Sequence, residues 1–138
     1  MTLDFQPARD DQTKQFTNIL QLTTGDNSPT YGYRNPLISF HPTHGLHFCL
    51  AINGNPSACH NSGGVRPCYD KWTTVEVSQE LVDCKYMYKI MIGDKKLISR
   101  RNHKPEEFAD VKVFASNPWD TAQPGFIKDF KVQSKKGE

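Results

Sequence analysis

The stretch WTTVEVSQ (residues 72–79), followed by YMYKIMI (residues 86–92), gives the clearest indication of the fold class of this chain. In both runs apolar and polar residues alternate, which is typical of β-strands that bury one face and expose the other. The pair Gly93-Asp94 and the run KLIS (residues 96–99) come next and predict a tight hairpin. Together these segments predict antiparallel strands.

The same alternation extends in both directions from this stretch. Upstream, it predicts strands over residues 16–22, 37–41 and 45–53. Downstream, the alternation continues through residues 111–113, and residues 126–132 form a last strand whose broken spacing indicates a bulge. With roughly seven to ten short strands and no convincing helix, the chain is predicted to be an all-β, two-sheet antiparallel β-sandwich.

Chain length predicts one domain, because 138 residues suit a single hydrophobic core. Residues 14–134 are predicted to form the sandwich. Residues 1–13 are polar and charged, so we expect a flexible segment or a lead-in to a strand. Residues 135–138 are predicted to be a C-terminal tail.

Net charge and hydropathy argue against two classes of partner. Lys and Arg total 17 while Asp and Glu total 15, so the formal charge of +2 predicts no nucleic-acid partner. No window approaches the roughly 20 consecutive apolar residues of a transmembrane helix, so we expect no membrane insertion. The polar start MTLDFQPARDDQ is unlike a signal peptide, which leaves a cytosolic protein or a mature fragment given a start Met.

The four cysteines leave disulfides, free buried thiols and zinc ligation as alternatives. Zinc is disfavoured because the spacing lacks the Cys-x2-Cys pair that presents two thiolates to one ion. Two disulfides allow three connectivities, and the redox compartment determines whether they form. Our interpretation pairs Cys59 with Cys68 and Cys49 with Cys84, an arrangement that suits a secreted domain.

Three predicted loops carry the side chains that a glycan site needs. A sugar ring packs its apolar face on an aromatic side chain, while Asn, Asp, Arg and His bond its hydroxyls. The alternative for each loop is structural, because Tyr and Trp plug the ends of sandwiches and Asn and Asp make turns. The candidate ligand-binding residues are Tyr31, Tyr33, Arg34 and Asn35; His60, Asn61, Arg66, Tyr69 and Asp70; and Asn117, Trp119 and Asp120.

Histidine spacing raises the question of a metal site. His41, His44 and His47 recur at every third residue, and two of them are placed to approach each other across a turn. Zinc needs a third or fourth ligand, which the sequence does not identify, so solvated or structural histidines are favoured. The indication of a calcium site is equally weak, because Asp10-Asp11 and Asp26 form no recognised ligand loop. We therefore predict no metal and no cofactor.

Catalytic motifs are missing from the sequence. It contains no Gly-x-Ser-x-Gly, no phosphate-binding loop and no His-Glu-x-x-His. Glycoside cleavage needs a pair of carboxylates, and nothing around Glu76 or Glu106-Glu107 indicates such a catalytic pair. We therefore expect a binding module and no enzyme.

The region from residue 72 to residue 132 resembles the second half of concanavalin A-like jelly rolls, the superfamily of galectins, laminin-G modules and legume lectins. The resemblance rests on TVEVSQ, YKIMIGDKKLISRRNH, FADVKVFA and PGFIKDFKV. The tail, with Asn-Pro-Trp and Pro-Gly-x-Ile, is similar to invertebrate extracellular domains of the farnesoic-acid-methyltransferase-like family. This sequence departs from the sugar-binding residues of galectins, because no Arg follows Trp72 at the matching spacing. No galectin site is therefore carried over.

This resemblance implies a jelly-roll sandwich of the kind used for binding glycans or extracellular partners. With the polar-aromatic loops, it leads us to expect a secreted, lectin-like recognition module that binds a glycan or glycoprotein. The alternative is a protein-binding adhesion or structural module that uses the same loops. The sequence leaves homo-oligomer formation open.

Overall fold

Ten β-strands form the regular structure in the computed structural model, which describes residues 1–9, 15–26, 28 and 30–133. No helix occurs among these residues, so none is long and apolar enough to cross a membrane. The strands are β1 (Thr2–Pro7), β2 (Thr17–Thr23), β3 (Leu37–His41), β4 (Gly45–Ile52), β5 (Asn55–Asn61), β6 (Thr73–Val82), β7 (Lys85–Ile92), β8 (Lys95–Arg101), β9 (Lys112–Ala115) and β10 (Gly125–Lys131).

The strands pair in two five-stranded sheets. Sheet A has the order β10-β1-β6-β7-β8, and sheet B has the order β5-β4-β3-β2-β9. Every named pair is antiparallel. The predicted all-β, two-sheet antiparallel sandwich is therefore confirmed.

The core lies between the two sheets and follows the alternation in the sequence. Leu46, Phe48, Leu50 and Ile52 of β4 are at most 5% exposed, as their shared strand face predicts. Sheet A supplies the opposing layer with the following buried residues: Leu3, Phe5, Val75, Val77, Tyr88, Ile90 and Ile92. Because β2 is buried along its whole length, it contributes to the core and is also covered on its outer side.

Two predicted details of strand pairing are confirmed. The β7–β8 hairpin turns at Gly93-Asp94, and Gly93 adopts φ +61° there. In β10 the predicted bulge is present, because Thr2 and Asp4 on β1 face Lys131 and Lys128. Two steps on β1 thus match three on β10, which places an extra residue on β10.

The N-terminal segment, for which we expected a flexible segment or a lead-in to a strand, contributes a strand of its own. Residues 2–7 form β1, which lies between β10 and β6 in sheet A. Its short alternation buries Leu3 and Phe5, at 1% and 2% exposure, and leaves Asp4 and Gln6 on the outer face. Residues 10–13, with Asp10-Asp11, and residues 135–138 lie outside the described part of the chain.

The predicted disulfide map is wrong. Cys49 is bonded to Cys59, whereas Cys68 and Cys84 are free, exposed thiols. The reason is a strand the sequence interpretation missed, because β5 follows the turn after β4 and places Cys59 directly opposite Cys49. Their Cα atoms are 4.1 Å apart. Pro56 is accommodated because β5 is an edge strand.

Candidate functional site

The first predicted loop is fastened to its neighbours. The Tyr31 hydroxyl donates to the Lys104 carbonyl at 3.1 Å, and the Asn35 carbonyl oxygen accepts from the Ala51 amide at 3.3 Å. The Arg34 guanidinium lies 3.4 Å from the Ser57 hydroxyl. The Tyr33 carbonyl accepts from the buried Gln21 side chain. These bonds hold the loop in place.

The second predicted set is divided by its positions in the fold. Arg66 donates to the carbonyls of Pro42 and Thr43 and so holds the turn between β3 and β4. Tyr69 packs edge-on against the buried Phe40 ring, with centroids 5.9 Å apart. The Asp70 amide donates to the Pro7 carbonyl. Arg66, Tyr69 and Asp70 therefore secure chain segments to one another.

His60 and Asn61 are neighbours on β5 that face opposite sides of sheet B. The His60 ring stacks on Tyr88 of β7 with centroids 6.2 Å apart, and its Nε2 is buried without a hydrogen-bond partner among the described atoms. Asn61 lies on the outer side, where its carbonyl oxygen is 2.6 Å from Nδ1 of His47. They cannot serve one ligand.

Burial, followed by the positive charges of Arg100 and His47, lowers the pKa of His60 below its ordinary value. In the unfolded chain His60 takes up a proton near pH 6.5, and in the folded protein only at lower pH. Lowering the pH through 6.5 therefore favours unfolding. We expect the free energy of unfolding to fall between pH 7 and 5, and less steeply in His60→Phe, as measured by urea titration at each pH. Equal slopes would contradict this.

The third predicted loop contains a buried amide. Asn117 is 4% exposed, its side chain donates to the Gln21 carbonyl oxygen and the Asp120 carboxylate, and its own carbonyl oxygen caps the amides of residues 119 and 120. The Gln21 side chain also donates to the Tyr33 carbonyl, so it is hydrogen-bonded to both the first and the third loop. Trp119 is 44% exposed with its ring edge-on to Phe114.

We expect Asn117→Ala to lower the free energy of unfolding by about 2–3 kcal/mol, because it leaves buried partners such as Gln21 unpaired. Chemical denaturation measures this loss. Asn61→Ala is the matched control, since that amide is exposed, and it should change stability by less than about 1 kcal/mol. A stable Asn117→Ala protein would show that the network is not structural.

The outer face of sheet A carries a different candidate site, which we call the aromatic platform: Asp4, Gln6, Trp72, Thr74, Phe126 and Lys128. Leu3 and Phe5 point into the core, so Asp4 and Gln6 of β1 point outward. Asp4 faces Thr74 on β6 and Lys128 on β10, and Gln6 faces Phe126 on β10. The register of three neighbouring strands therefore brings these residues together.

Two aromatic side chains of the platform are open to solvent. Trp72 is 42% exposed and Phe126 is 64% exposed. Trp72 immediately precedes β6, and the Lys128 ammonium lies 4.2 Å from its ring centroid, so the indole is oriented across β1 towards β10. Since β6 and β10 stand two interstrand spacings apart, roughly 10 Å, the platform spans more than one sugar ring.

Polar groups lie between and beside the two rings. The Thr74 hydroxyl donates to one Asp4 carboxylate oxygen at 2.6 Å, and the Gln6 amide nitrogen donates to the Asp70 carbonyl at 3.1 Å. These bonds orient both side chains. The second Asp4 oxygen and the Gln6 carbonyl oxygen have no partner among the described residues, so both can accept from hydroxyl groups.

A cleft of about 340 Å³ opens beside Phe126, between the edge strands β9 and β10. Its floor includes the apolar residues Phe5, Ile19 and Ile127. Its two amide side chains are engaged internally, since Asn18 binds the third loop and Gln123 donates to backbone carbonyls. The cleft therefore offers an apolar recess at the rim of the platform.

None of the twelve predicted ligand-binding residues belongs to the platform. Gln6, Trp72 and Phe126 lie far apart in the sequence, and only the strand order β10-β1-β6 makes them neighbours. One local signal was present, because Trp72 and Phe126 alternate with residues that point inward, namely Val75 and Val77 in β6 and Ile127 in β10.

The architecture is an all-β, two-sheet sandwich, compatible with jelly-roll folds. The strand register and side-chain contacts of the chain itself therefore define its candidate site. Comparison with protein-family models, with curated proteins and with solved structures finds no match to this chain.

Proposed function

We propose that this protein is a non-catalytic, lectin-like module that binds carbohydrate outside the cell, and that the aromatic platform is its glycan site. The observation that carries the proposal is the presence of two exposed aromatic rings, Trp72 and Phe126, on one sheet face with Asp4 and Gln6 between them. This combination matches the two requirements of sugar recognition, a flat apolar surface and fixed acceptors for hydroxyls.

The shape of the platform indicates the kind of glycan. Its rings stand on an open sheet face, so an internal stretch of an oligosaccharide can lie across it as readily as a chain end. Lys128 beside Trp72 adds a cation, which favours sugars that carry a carboxylate or sulfate over neutral ones. We infer an oligosaccharide ligand with at least one acidic group.

The disulfide and the architecture support an extracellular role. Disulfides persist in oxidising compartments, and Cys49 is bonded to Cys59. The sandwich is also compatible with the concanavalin A-like jelly rolls that the second half of the sequence resembles. Many members of that superfamily bind glycans, which is an argument by analogy.

The test is a glycan array followed by calorimetric titration with the oligosaccharides that bind. We expect Trp72→Ala to weaken binding at least about tenfold, because it removes a stacking surface of roughly 1.5 kcal/mol or more. Trp119→Ala is the matched control, since Trp119 is equally exposed, at 44%, and lies outside the platform. It should leave affinity unchanged.

Two outcomes would remove the proposal. One is an array without hits, confirmed by the absence of chemical-shift changes on titration with neutral and acidic oligosaccharides. The other is a binding protein in which Trp119→Ala weakens affinity as much as Trp72→Ala, which would place the site on the third loop.

A protein-binding module is the second candidate function. It is favoured by exposed apolar side chains on and beside the edge strands β9 and β10, namely Val111, Val113, Phe126 and Val132, at 40–64% exposure. An exposed strand edge can pair with a strand of a partner. Val113→Lys separates the two functions, because it should abolish such pairing and leave glycan binding intact.

A further inference from the structure

Three side chains that bind metals meet on the outer face of sheet B. His47 and Cys49 are alternate residues of β4, and Cys59 lies opposite Cys49 on β5. The ligand atoms of all three lie within 4.8 Å of one another. In the oxidised protein the two sulfurs are joined, so neither is available as a thiolate.

His47 is already oriented as a metal ligand. Its Nδ1 lies 2.6 Å from the Asn61 carbonyl oxygen, which accepts a hydrogen bond, so a neutral imidazole carries its proton on Nδ1. The lone pair is then on Nε2, which lies 3.1 Å from Sγ of Cys49. Metal-binding histidines are characteristically held in this way, with the second ring nitrogen donating to a carbonyl or carboxylate oxygen.

The sulfur atoms are accessible to a reductant from one side. Cys59 is exposed on β5, which is an edge strand of sheet B, whereas Cys49 is 1% exposed beneath it. A thiolate can therefore attack the Cys59 sulfur from solvent. Strands β4 and β5 also pair on both sides of the cysteines, from His47 opposite Asn61 to Ile52 opposite Asn55. We therefore expect the two strands to stay paired after reduction.

We propose that reduction of the Cys49–Cys59 disulfide creates a binding site for a thiophilic metal ion, and that the physiological ion is Zn²⁺. The ligands of this site are Cys49, Cys59 and His47. A dithiol reductant supplies two electrons and two protons, becomes a disulfide itself, and leaves two thiols on the protein. The metal ion then displaces both thiol protons to solvent and binds two thiolates and the Nε2 lone pair.

The geometry and charge of the site suit this ion. Two thiolates neutralise a divalent cation, and the imidazole stays neutral. Sulfurs in a tetrahedral zinc site lie roughly 3.7 Å apart, a separation that side-chain rotation provides when the Cα atoms are 4.1 Å apart. Cys59 is exposed, so a water molecule can complete the fourth position. The site lies on sheet B, so it is independent of the glycan platform on sheet A.

The test uses the 138-residue chain with Cys68→Ser and Cys84→Ser, in which Cys49 and Cys59 are the remaining cysteines of the four. A phosphine reductant, which takes its oxygen from water, opens the disulfide under anaerobic conditions. Co²⁺ is then titrated as a spectroscopic probe, and Zn²⁺ by competition with a chromogenic chelator. We expect one Co²⁺ per reduced chain with a thiolate charge-transfer band, and no such band in the oxidised protein.

Variants separate the three ligands from their surroundings. His47→Ala should weaken Zn²⁺ binding by more than about tenfold, and Asn61→Ala by about tenfold, because Asn61 orients the imidazole. His44→Ala is the control, because the His44 ring also lies near Phe16, with centroids 6.0 Å apart, but His44 is outside the ligand set. The His44→Ala variant should bind Zn²⁺ as tightly as the parent protein.

Three results would overturn the proposal. The first is a reduced, folded protein that binds Zn²⁺ no more tightly than its Cys59→Ser variant. The second is a His47→Ala variant that retains the parent affinity. The third is a reduced protein whose far-ultraviolet circular dichroism shows loss of β-structure that Zn²⁺ does not restore.

Discussion

Phe48→Ala is expected to lower the free energy of unfolding by about 3–5 kcal/mol, because it removes a fully buried aromatic ring and leaves a cavity. Phe48 is 0% exposed at the centre of β4, where it faces Ile38 on β3 and His60 on β5. The surrounding side chains belong to paired strands of two sheets and cannot close the space without moving backbone. Urea or guanidinium denaturation measures the loss.

Phe126→Ala is the matched control, because it removes the same side chain from a site that is 64% exposed. We expect stability within about 0.5 kcal/mol of the parent protein and a loss of glycan affinity. The two phenylalanines would then separate the core from the platform. If Phe48→Ala lost less than about 1 kcal/mol, the two sheets would not be packed as described.

Gly125→Ala is expected to lower the free energy of unfolding by about 3 kcal/mol, the second largest effect among these predictions. Gly125 begins β10 with φ +140°, a conformation that L side chains rarely adopt. A Cβ at this position would overlap the Gln6 carbonyl oxygen and lie 3.0 Å from Cα of Pro7. Both contacts are to backbone, so β10 would have to move away from β1.

Gly93→Ala tests whether conformation alone explains the effect. Gly93 also has a positive φ, +61°, but a Cβ there would have no neighbour within 4 Å. We expect a loss of about 1–2 kcal/mol, from backbone strain only. Gly125→Ala should also weaken glycan binding, because displacement of β10 moves Phe126 and Lys128 relative to Gln6. Equal losses at the two glycines would argue against the close β1–β10 contact.

The fold class was predictable because strand alternation is a local property. In β4, the residues Leu46, Phe48, Leu50 and Ile52 alternate with less apolar ones, and the same face is buried in the structure. The bulge in β10 was predictable for the same reason, since an extra residue breaks the two-residue period within one segment. Burial of one strand face produces this two-residue alternation of apolar residues whatever the strand order.

The candidate site was not predictable from local pattern. Tyr31, Arg66 and Asn117 occur in segments rich in loop-forming residues, where a polar or aromatic side chain has the same appearance whether it binds a ligand or the neighbouring backbone. In the structure all three bind neighbouring segments. Trp72 and Phe126 lie in or next to predicted strands, where an aromatic side chain suggests a core residue, but both are exposed.

The disulfide shows the same distinction between local and long-range information. The sequence favours a loop after β4, because Asn53-Gly54 is a turn signal and a central strand would not tolerate Pro56. At the edge of sheet B the proline costs no hydrogen bond between strands, so β5 forms and Cys59 faces Cys49. Whether a strand is central or at an edge depends on the whole sheet.

Local alternation was enough to predict short antiparallel strands with one apolar face, because each side chain's direction along a strand follows from its position in the two-residue period. The order of those strands is a property of the whole fold, and from it follow the Cys49–Cys59 pair, the interior position of β1 and the platform of Gln6, Trp72 and Phe126. Strand order is set by packing between segments distant in the chain, and local alternation is the same for many orders.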